Sequence, residues 1–210
     1  MLVMHSRMSY LKIVGSLIYL MITRLDLSYI VGLESQFMQA PKKPHLDAVR
    51  CTLRYVRATL DYALFYAAGV PVELYGYTDV DWAGSITDRR STSGFMFFLG
   101  SAAITWSSKK QPTVALSSTE AEYRGAAIAT CEVAWLRKLL MDMGMHVDRG
   151  VVIYCDNLSS IQLARNPVFH AWTKHIEVHY HFVRERFWME TSTCRHKGVG
   201  CRHLYQGPGI

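Results

Sequence analysis

The chain has 210 residues, half of them hydrophobic, with 23 Lys+Arg against 17 Asp+Glu and a formal net charge of +6. This composition excludes a disordered chain, suffices for one domain with an appendage, and biases the partner toward a polyanion. The five cysteines (Cys51, Cys131, Cys155, Cys194, Cys201) are odd in number and form no CxxC pair. That excludes a disulfide scaffold and predicts reduced, mostly buried thiols of an intracellular protein that is not secreted.

The N-terminus lacks the basic, apolar and small-residue layout of a signal peptide. "IVGSLIYLMIT" is shorter than the roughly 18 residues a membrane span needs, so it predicts a buried helix and no membrane partner. Residues 9–66 read as mostly helical. In "LDAVRCTLRYV", Leu46, Val49, Leu53 and Val56 fall on one apolar stripe. "QAPKKPH" before it is a loop, with Pro41 and Pro44 as breakers. "DYALFY" reads as a short strand, and "AAGVP" as a hinge.

From Val72 the period changes. "VELYGYTD" is strand-like, and "GFMFFLG" and "AITWSS" predict a hairpin turning at Gly100–Ser101. The helix "SSTEAEYRGAAIATCEVAWLRKLLMDMG" opens with Ser117 and Glu120 as a capping box and stops at Gly144. "VVIYC" predicts a central buried strand. A helix follows from about Asn157 to Asn166–Pro167. The last, "TKHIEVHYHFVRERF", sets Ile176, Tyr180, Val183 and Phe187 on one face. Strands, a long helix, a strand and further helices predict an α/β domain with a mixed sheet.

Three carboxylates fall where side chains converge at the edge of such a sheet. Asp79 ends the first strand, Glu122 lies in the first turns of the long helix, and Asp156 ends the strand "VVIYC". Gathered acids repel unless cations neutralise them, and Mg²⁺, a hard cation that keeps waters, suits oxygen ligands. Glu120 leads a partly polar stripe through Arg124, Cys131 and Lys138, and its capping position already accounts for it. Glu122 heads the stripe Ala126, Ala129, Val133, Leu136, Leu140, which faces the sheet. A carboxylate aimed at a core needs a partner, so Glu122 is the candidate ligand. A single Asp after a strand is more often a turn or helix cap. Asp156 could cap the next helix, and Asp81 and Asp88 could be loop residues. The ordered set of three says more than any one member.

"YTDVDWAG…DRRSTSGFMFFLG…ITWSSKKQPTVALSSTEAEYRGAA", followed by "VIYCDNLSSIQLARNPVFHAWTKHIEVHYHFVRER", closely resembles the ribonuclease H domain of copia-type retrotransposon polyproteins. "YLKIVGSLIYLMITRLDLSYIVGLESQFMQAPKKPHLDAVRCTLRYVRATLDYALFY" resembles the segment that links reverse transcriptase to that domain. The family's paired polymerase aspartates are not found. The resemblance implies a ribonuclease H-like mixed sheet flanked by helices over residues 73–190. A helical connection segment over 1–66, a hinge at 67–72 and an aberrant tail over 191–210 complete the division. It implies hydrolysis of the RNA strand of an RNA–DNA hybrid by two Mg²⁺ ions, with Mn²⁺ as a substitute, held by Asp79, Glu122 and Asp156. Asp79 would bridge both ions. A reverse transcriptase supplied in trans is a further partner it suggests.

The family's fourth acid follows a last strand, in a motif such as "ADIFTK", which this chain lacks. If "CRHLYQGP" is encoded tgt-cga-cat-ctt-tac-caa-ggc-ccc, reading one base later gives "VDIFTKA". We therefore expect a frameshift between about Cys194 and Cys201, loss of the last strand and helix, and impaired activity. Leu25, where the family pattern "TRPD" has proline, also points to decay. The competing expectation is a remnant that folds and at most binds nucleic acid.

By the same resemblance Ser118, Thr119 and Asn157 contact the minor groove of the hybrid, where 2′-hydroxyls are exposed. Lys109 and Lys110 would meet phosphate, or form a solvated loop pair. His175 and His179, four apart, lack a further zinc ligand of known spacing and read as a helix flank. Trp82, Trp106 and Trp135 read as core or rim residues, with Trp82 also near enough to Asp81 to touch nucleic acid.

Overall fold

The computed structural model describes residues 2–145, 150–165 and 193–196, with residues 2–6, 163–165 and 193–196 described by backbone alone. The helix expected around residues 173–187, the pair His175 and His179 and the expected frameshifted residues from 197 onward lie outside the described residues.

The N-terminal part folds as α1 (Leu2–Leu20), a 3-10 turn (Leu25–Leu27), α2 (Ser28–Ser35) and α3 (Lys43–Ala58). Tyr10, Val14, Leu17, Leu27, Val31 and Val49 form its core. Of the stripe expected on α3, Val49 is buried and Leu46 and Val56 are half-buried, whereas Leu53 is exposed. Two hydrogen bonds run through this core: Tyr10 donates to the Glu34 carbonyl at 2.7 Å and Thr52 Oγ1 to Glu34 Oε1 at 2.6 Å, while Glu34 Oε2 is left without a partner. The corner after α1 is closed by Arg24, buried, which donates to Asp26 at 2.7 and 3.0 Å and to the Thr59 carbonyl at 2.8 Å.

The expected strand over residues 61–66 is not formed. The stretch has strand-like residues but pairs with no strand, although β3 (Ala102–Lys110) beside it is an edge strand of the sheet. Tyr62, Phe65 and Tyr66 are exposed, and Tyr66 only sends its hydroxyl to the Ala103 carbonyl at 3.2 Å.

The sheet has the order β3-β2-β1-β4-β5, from β1 (Leu74–Asp81), β2 (Thr92–Leu99), β3 (Ala102–Lys110), β4 (Val152–Cys155) and β5 (Thr193–His196). The first three strands are antiparallel; a loop over residues 82–91 joins β1 to β2, and a tight turn at Gly100, with φ 61°, joins β2 to β3. β4 runs parallel to β1, so the chain needs a crossover, which α4 (Ser118–Asp142) supplies. α5 (Leu158–Arg165) follows β4. The α/β mixed sheet expected from the sequence is the architecture found. "VVIYC" lies inside the sheet, although the central strand is β1. The expected loss of the last strand is corrected by β5, which pairs in parallel with β4 from Val152↔Thr193 to Cys155↔His196. Edge pairing uses main-chain groups, so an altered side-chain sequence can still supply it.

Half of the expected capping box is formed: Ser117 Oγ accepts from the Glu120 N–H at 3.1 Å, but the Glu120 carboxylate takes the Leu116 N–H rather than that of Ser117. Gly144 past the helix end has φ 77°. Its sheet-facing stripe, Ala126, Ala129, Val133, Leu136 and Leu140, is buried. Burying each of the larger side chains contributes about 2 kcal/mol. They pack on Leu74, Phe97 and Ile153. Cys131 is exposed on the outer face of α4 and Cys51 on that of α3, whereas Cys155 is buried. The expectation of mostly buried thiols is thus corrected for two of them, because helix face and not residue type decided. No helix among the described residues is long and apolar enough to cross a membrane.

Candidate functional site

β1 and β4 are parallel neighbours, so their C-terminal ends open on the same edge of the sheet, the edge at which α4 begins. Side chains in β1 alternate: Thr78 and Val80 are buried toward α4, and Asp79 between them is exposed. Asp156 follows the last residue of β4 and is also exposed. Glu122, in the second turn of α4, is 7% exposed. One carboxylate oxygen from each of Asp79, Glu122 and Asp156 lies within 4.8 Å of the others.

Close approach of α4 to β1 makes this possible. A Cβ on Gly125 would stand 2.6 Å from Val80 Cγ2. Only glycine at this position, three residues after Glu122, lets the helix come down onto the strand. The Val80 backbone then hydrogen-bonds Glu122. Burial, and next the nearby Asp156 and Asp79, push the Glu122 carboxyl up to about 8. Its Oε2 is buried without a hydrogen-bond partner. A carboxylate held in that way beside two others is the donor set of a hard cation.

Glu120 belongs to the helix start, as its capping position suggested. It is 4% exposed, accepts from Arg124 at 2.6 Å and from the Leu116 N–H at 2.8 Å. Asn157, not Asp156, caps α5, its Oδ1 accepting from the Ser160 N–H at 2.9 Å. That leaves Asp156 free of the capping role and Asn157 half-buried beside it. Ser118 is exposed and Thr119 half-buried at the start of α4. Lys109 is exposed, whereas Lys110 is half-buried and turned back, its Nζ 3.1 Å from Ser85 Oγ and 3.5 Å from Asp88. Trp82 and Trp135 are rim residues, 49% and 55% exposed.

Sequence reasoning missed Gln111. Buried at the end of β3, it donates from Nε2 to Ser93 Oγ at 2.8 Å and to the Ala121 carbonyl at 3.0 Å. It clips β2 to the first turn of α4, one residue before Glu122. No signal in a single sequence marks it out. Gly125 was not singled out either, although a glycine in mid-helix three residues after Glu122 is a signal that could have marked it.

No family model matches the chain. It is 47% identical over 177 residues to the retrovirus-related Pol polyprotein from transposon RE1 of Arabidopsis thaliana, a match covering 84% of this chain and 12% of that protein. It is 44% identical over 181 residues to the corresponding polyprotein from transposon TNT 1-94 of Nicotiana tabacum, covering 86% and 14%. The chain thus spans about an eighth of the length of these relatives. Among solved structures, LC11-RNase H1 in complex with RNA/DNA hybrid is similar with a TM-score of 0.45 and 12% identity, covering 60% of this chain and 86% of that one.

Proposed function

The chain belongs to the copia-type retrotransposon Pol polyproteins, as a domain of ribonuclease H type, and from this premise we propose that it hydrolyses the RNA strand of an RNA–DNA hybrid at Asp79, Glu122 and Asp156. The observation that carries this reading is the convergence of the three carboxylates within 4.8 Å. We assign residues 73–190, together with β5, to this activity and residues 1–66 to a connection segment, with 67–72 as the hinge between them.

The donor set fits divalent metal: all ligands are hard oxygens, and the buried Glu122 Oε2 has no other partner. Asp79, Glu122 and Asp156 would hold two Mg²⁺ ions, or Mn²⁺ in their place. When bound, such ions activate water and stabilise the leaving 3′ oxygen. The chain's own groups fix the geometry. Val80 orients Glu122 through its backbone, and Gln111 holds the first turn of α4 against β2. Ser118 and Thr119 at the start of α4 and Asn157 next to Asp156 would read the minor groove, and exposed Lys109 would meet phosphate. Lys110 instead ties down the loop that carries Asp88. A reverse transcriptase acting in trans would supply the hybrid.

We further propose that a frameshift between about Cys194 and Cys201 replaces the family's fourth acidic motif and impairs turnover; the second reading is a folded remnant that at most binds nucleic acid and cuts nothing. Incubation of an end-labelled hybrid with Mg²⁺, then Mn²⁺, separates the two. Cuts that vanish in Asp156→Asn support the enzyme. Binding without cuts, with cleavage restored when the tail is rewritten in the shifted frame, identifies the remnant. A folded protein that neither binds nor cuts the hybrid sinks the enzyme and leaves the remnant.

A further inference from the structure

Beside the carboxylates, two loops carry an apolar rim that the described fold leaves in solvent. Between β1 and β2, Trp82 is 49% and Ile86 89% exposed; between β3 and α4, Val114 is 47% and Leu116 78% exposed. These loops are tied to one another. Trp82 Nε1 donates to the Ala115 carbonyl at 3.3 Å, the Gln111 N–H to the Ser91 carbonyl at 2.8 Å, and Lys110 Nζ lies 3.1 Å from Ser85 Oγ. The indole's single polar atom is therefore satisfied, and what it shows to solvent is ring. An exposed, tethered indole is an apolar surface held ready for a partner.

Its place is set by contacts that lead to the cluster. Val80 packs with Ala115 and Ala121, and the Val80 backbone hydrogen-bonds Glu122. The carbonyl that anchors Trp82 thus belongs to a residue packed beside that carboxylate. Of the charges around the rim, Asp88 is paired with Arg90 at 3.6 Å and with Lys110 at 3.5 Å, and Asp81 is exposed. That leaves Arg89 on the first loop and Lys109 at the head of the second as the exposed cations that face a ligand, on a chain of net charge +6. Arg89 stands at φ 54°, a left-handed conformation unusual for a side chain of its size. An apolar ring flanked by cations complements a nucleic-acid strand, whose sugars are apolar and whose phosphates are anionic.

We propose that Trp82 is a substrate contact, its indole packing on the sugar edges of the hybrid laid across the carboxylates, while Arg89 engages a backbone phosphate of the same duplex. This assignment rests on the reading of the domain as a hybrid ribonuclease and names a specific foothold for it. Leu116 lies one residue beyond the Trp82 anchor and extends the rim.

The test is a fluorescence-anisotropy titration of a short labelled RNA–DNA hybrid with the full chain, across a salt series. Trp82→Ala should weaken binding by about tenfold, as expected for a buried aromatic contact. Arg89→Gly relaxes the left-handed backbone while removing the charge, and should lower the salt dependence of log Kd by about one. Should the alanine variant fail to fold, Trp82→Phe decides. Trp82's own emission, taken as the difference between wild type and Trp82→Phe, should be quenched when the hybrid is added. Unchanged affinity in a folded Trp82→Ala, an unaltered salt slope in Arg89→Gly, or no quench overturns the proposal. If the wild type cuts hybrid and these variants match it, only this assignment falls. If the wild type binds no hybrid, the ribonuclease reading falls and takes this one with it.

Discussion

Trp106 donates its indole N–H to the carbonyl of Met21 at 3.1 Å, a hydrogen bond that spans 85 residues of sequence. It joins the end of α1 to β3 and is reinforced by the approach of α2, where a Cβ on Gly32 would stand 3.6 Å from the Ser108 carbonyl. Trp106→Phe keeps the ring and removes the donor. We expect a loss of about 1 kcal/mol in unfolding free energy, with faster hydrogen exchange in α1 and α2 than in β1. Uniformly unchanged exchange would show that the bond does not couple the two parts.

Leu25 opens the 3-10 turn, and Arg24 before it is non-helical, with φ −122° and ψ 86°. The first helical position has no need of its N–H, and its φ suits proline. Leu25→Pro should therefore stabilise the chain by about 0.4–1 kcal/mol, read as a rise in melting temperature. A fall would mean that the half-buried leucine side chain outweighs the restriction of the unfolded chain.

Glu122 governs the pH response of the metal-free protein. Its folded pKa is pushed up to about 8, whereas an unfolded glutamate titrates near pH ~4.3. The folded state binds the extra proton between those values, so this stabilisation is complete below the lower and is lost as pH rises through the upper. Melting in chelator should fall over that window. Glu122→Gln should flatten the fall, and added Mg²⁺ should oppose it by pairing the carboxylate. A slope that persists in Glu122→Gln assigns the effect elsewhere.

Glu34 is a second buried acid, held above its ordinary range by burial, with the Thr52 hydrogen bond pulling the other way. Its Oε2 is buried without a hydrogen-bond partner. The same sign applies: stability from the protonated form is lost as pH rises past the raised pKa. Glu34→Gln keeps an acceptor for Thr52 and cannot ionise, so it should melt higher than wild type at pH ~8 and similarly at pH ~4. Equal melting at both pH values would show that Glu34 stays ionised at no penalty.

What the sequence made legible is what depends on local pattern. α4 was readable end to end because a serine cap, a sheet-facing stripe and a terminal glycine all agree. The hairpin at Gly100 was readable for the same reason. Residues 61–66 were misread because strand-like composition does not by itself make a stretch pair, even beside the edge strand β3. Cys51 and Cys131 misled because each belongs to a helix whose apolar face is narrower than its apolar composition. At the site, the three acids were found by their places on strand, helix and strand. Gln111 and the turning back of Lys110 toward Asp88 are tertiary facts with no local signature.

The ladder between β1 and β4 covers only Tyr75–Tyr77 opposite Val152–Tyr154. Asp79 and Asp156 both stand just past its last rung, each two residues beyond a paired position. Their spacing is therefore counted out by backbone rungs, and side-chain packing only fills in around them. A substitution near the cluster shifts an atom or two, but a single inserted or deleted residue between Gly150 and Cys155 would slide Asp156 by about 3.3 Å and turn it to the opposite face. This corner of the molecule should thus tolerate drift in residue identity far better than drift in length.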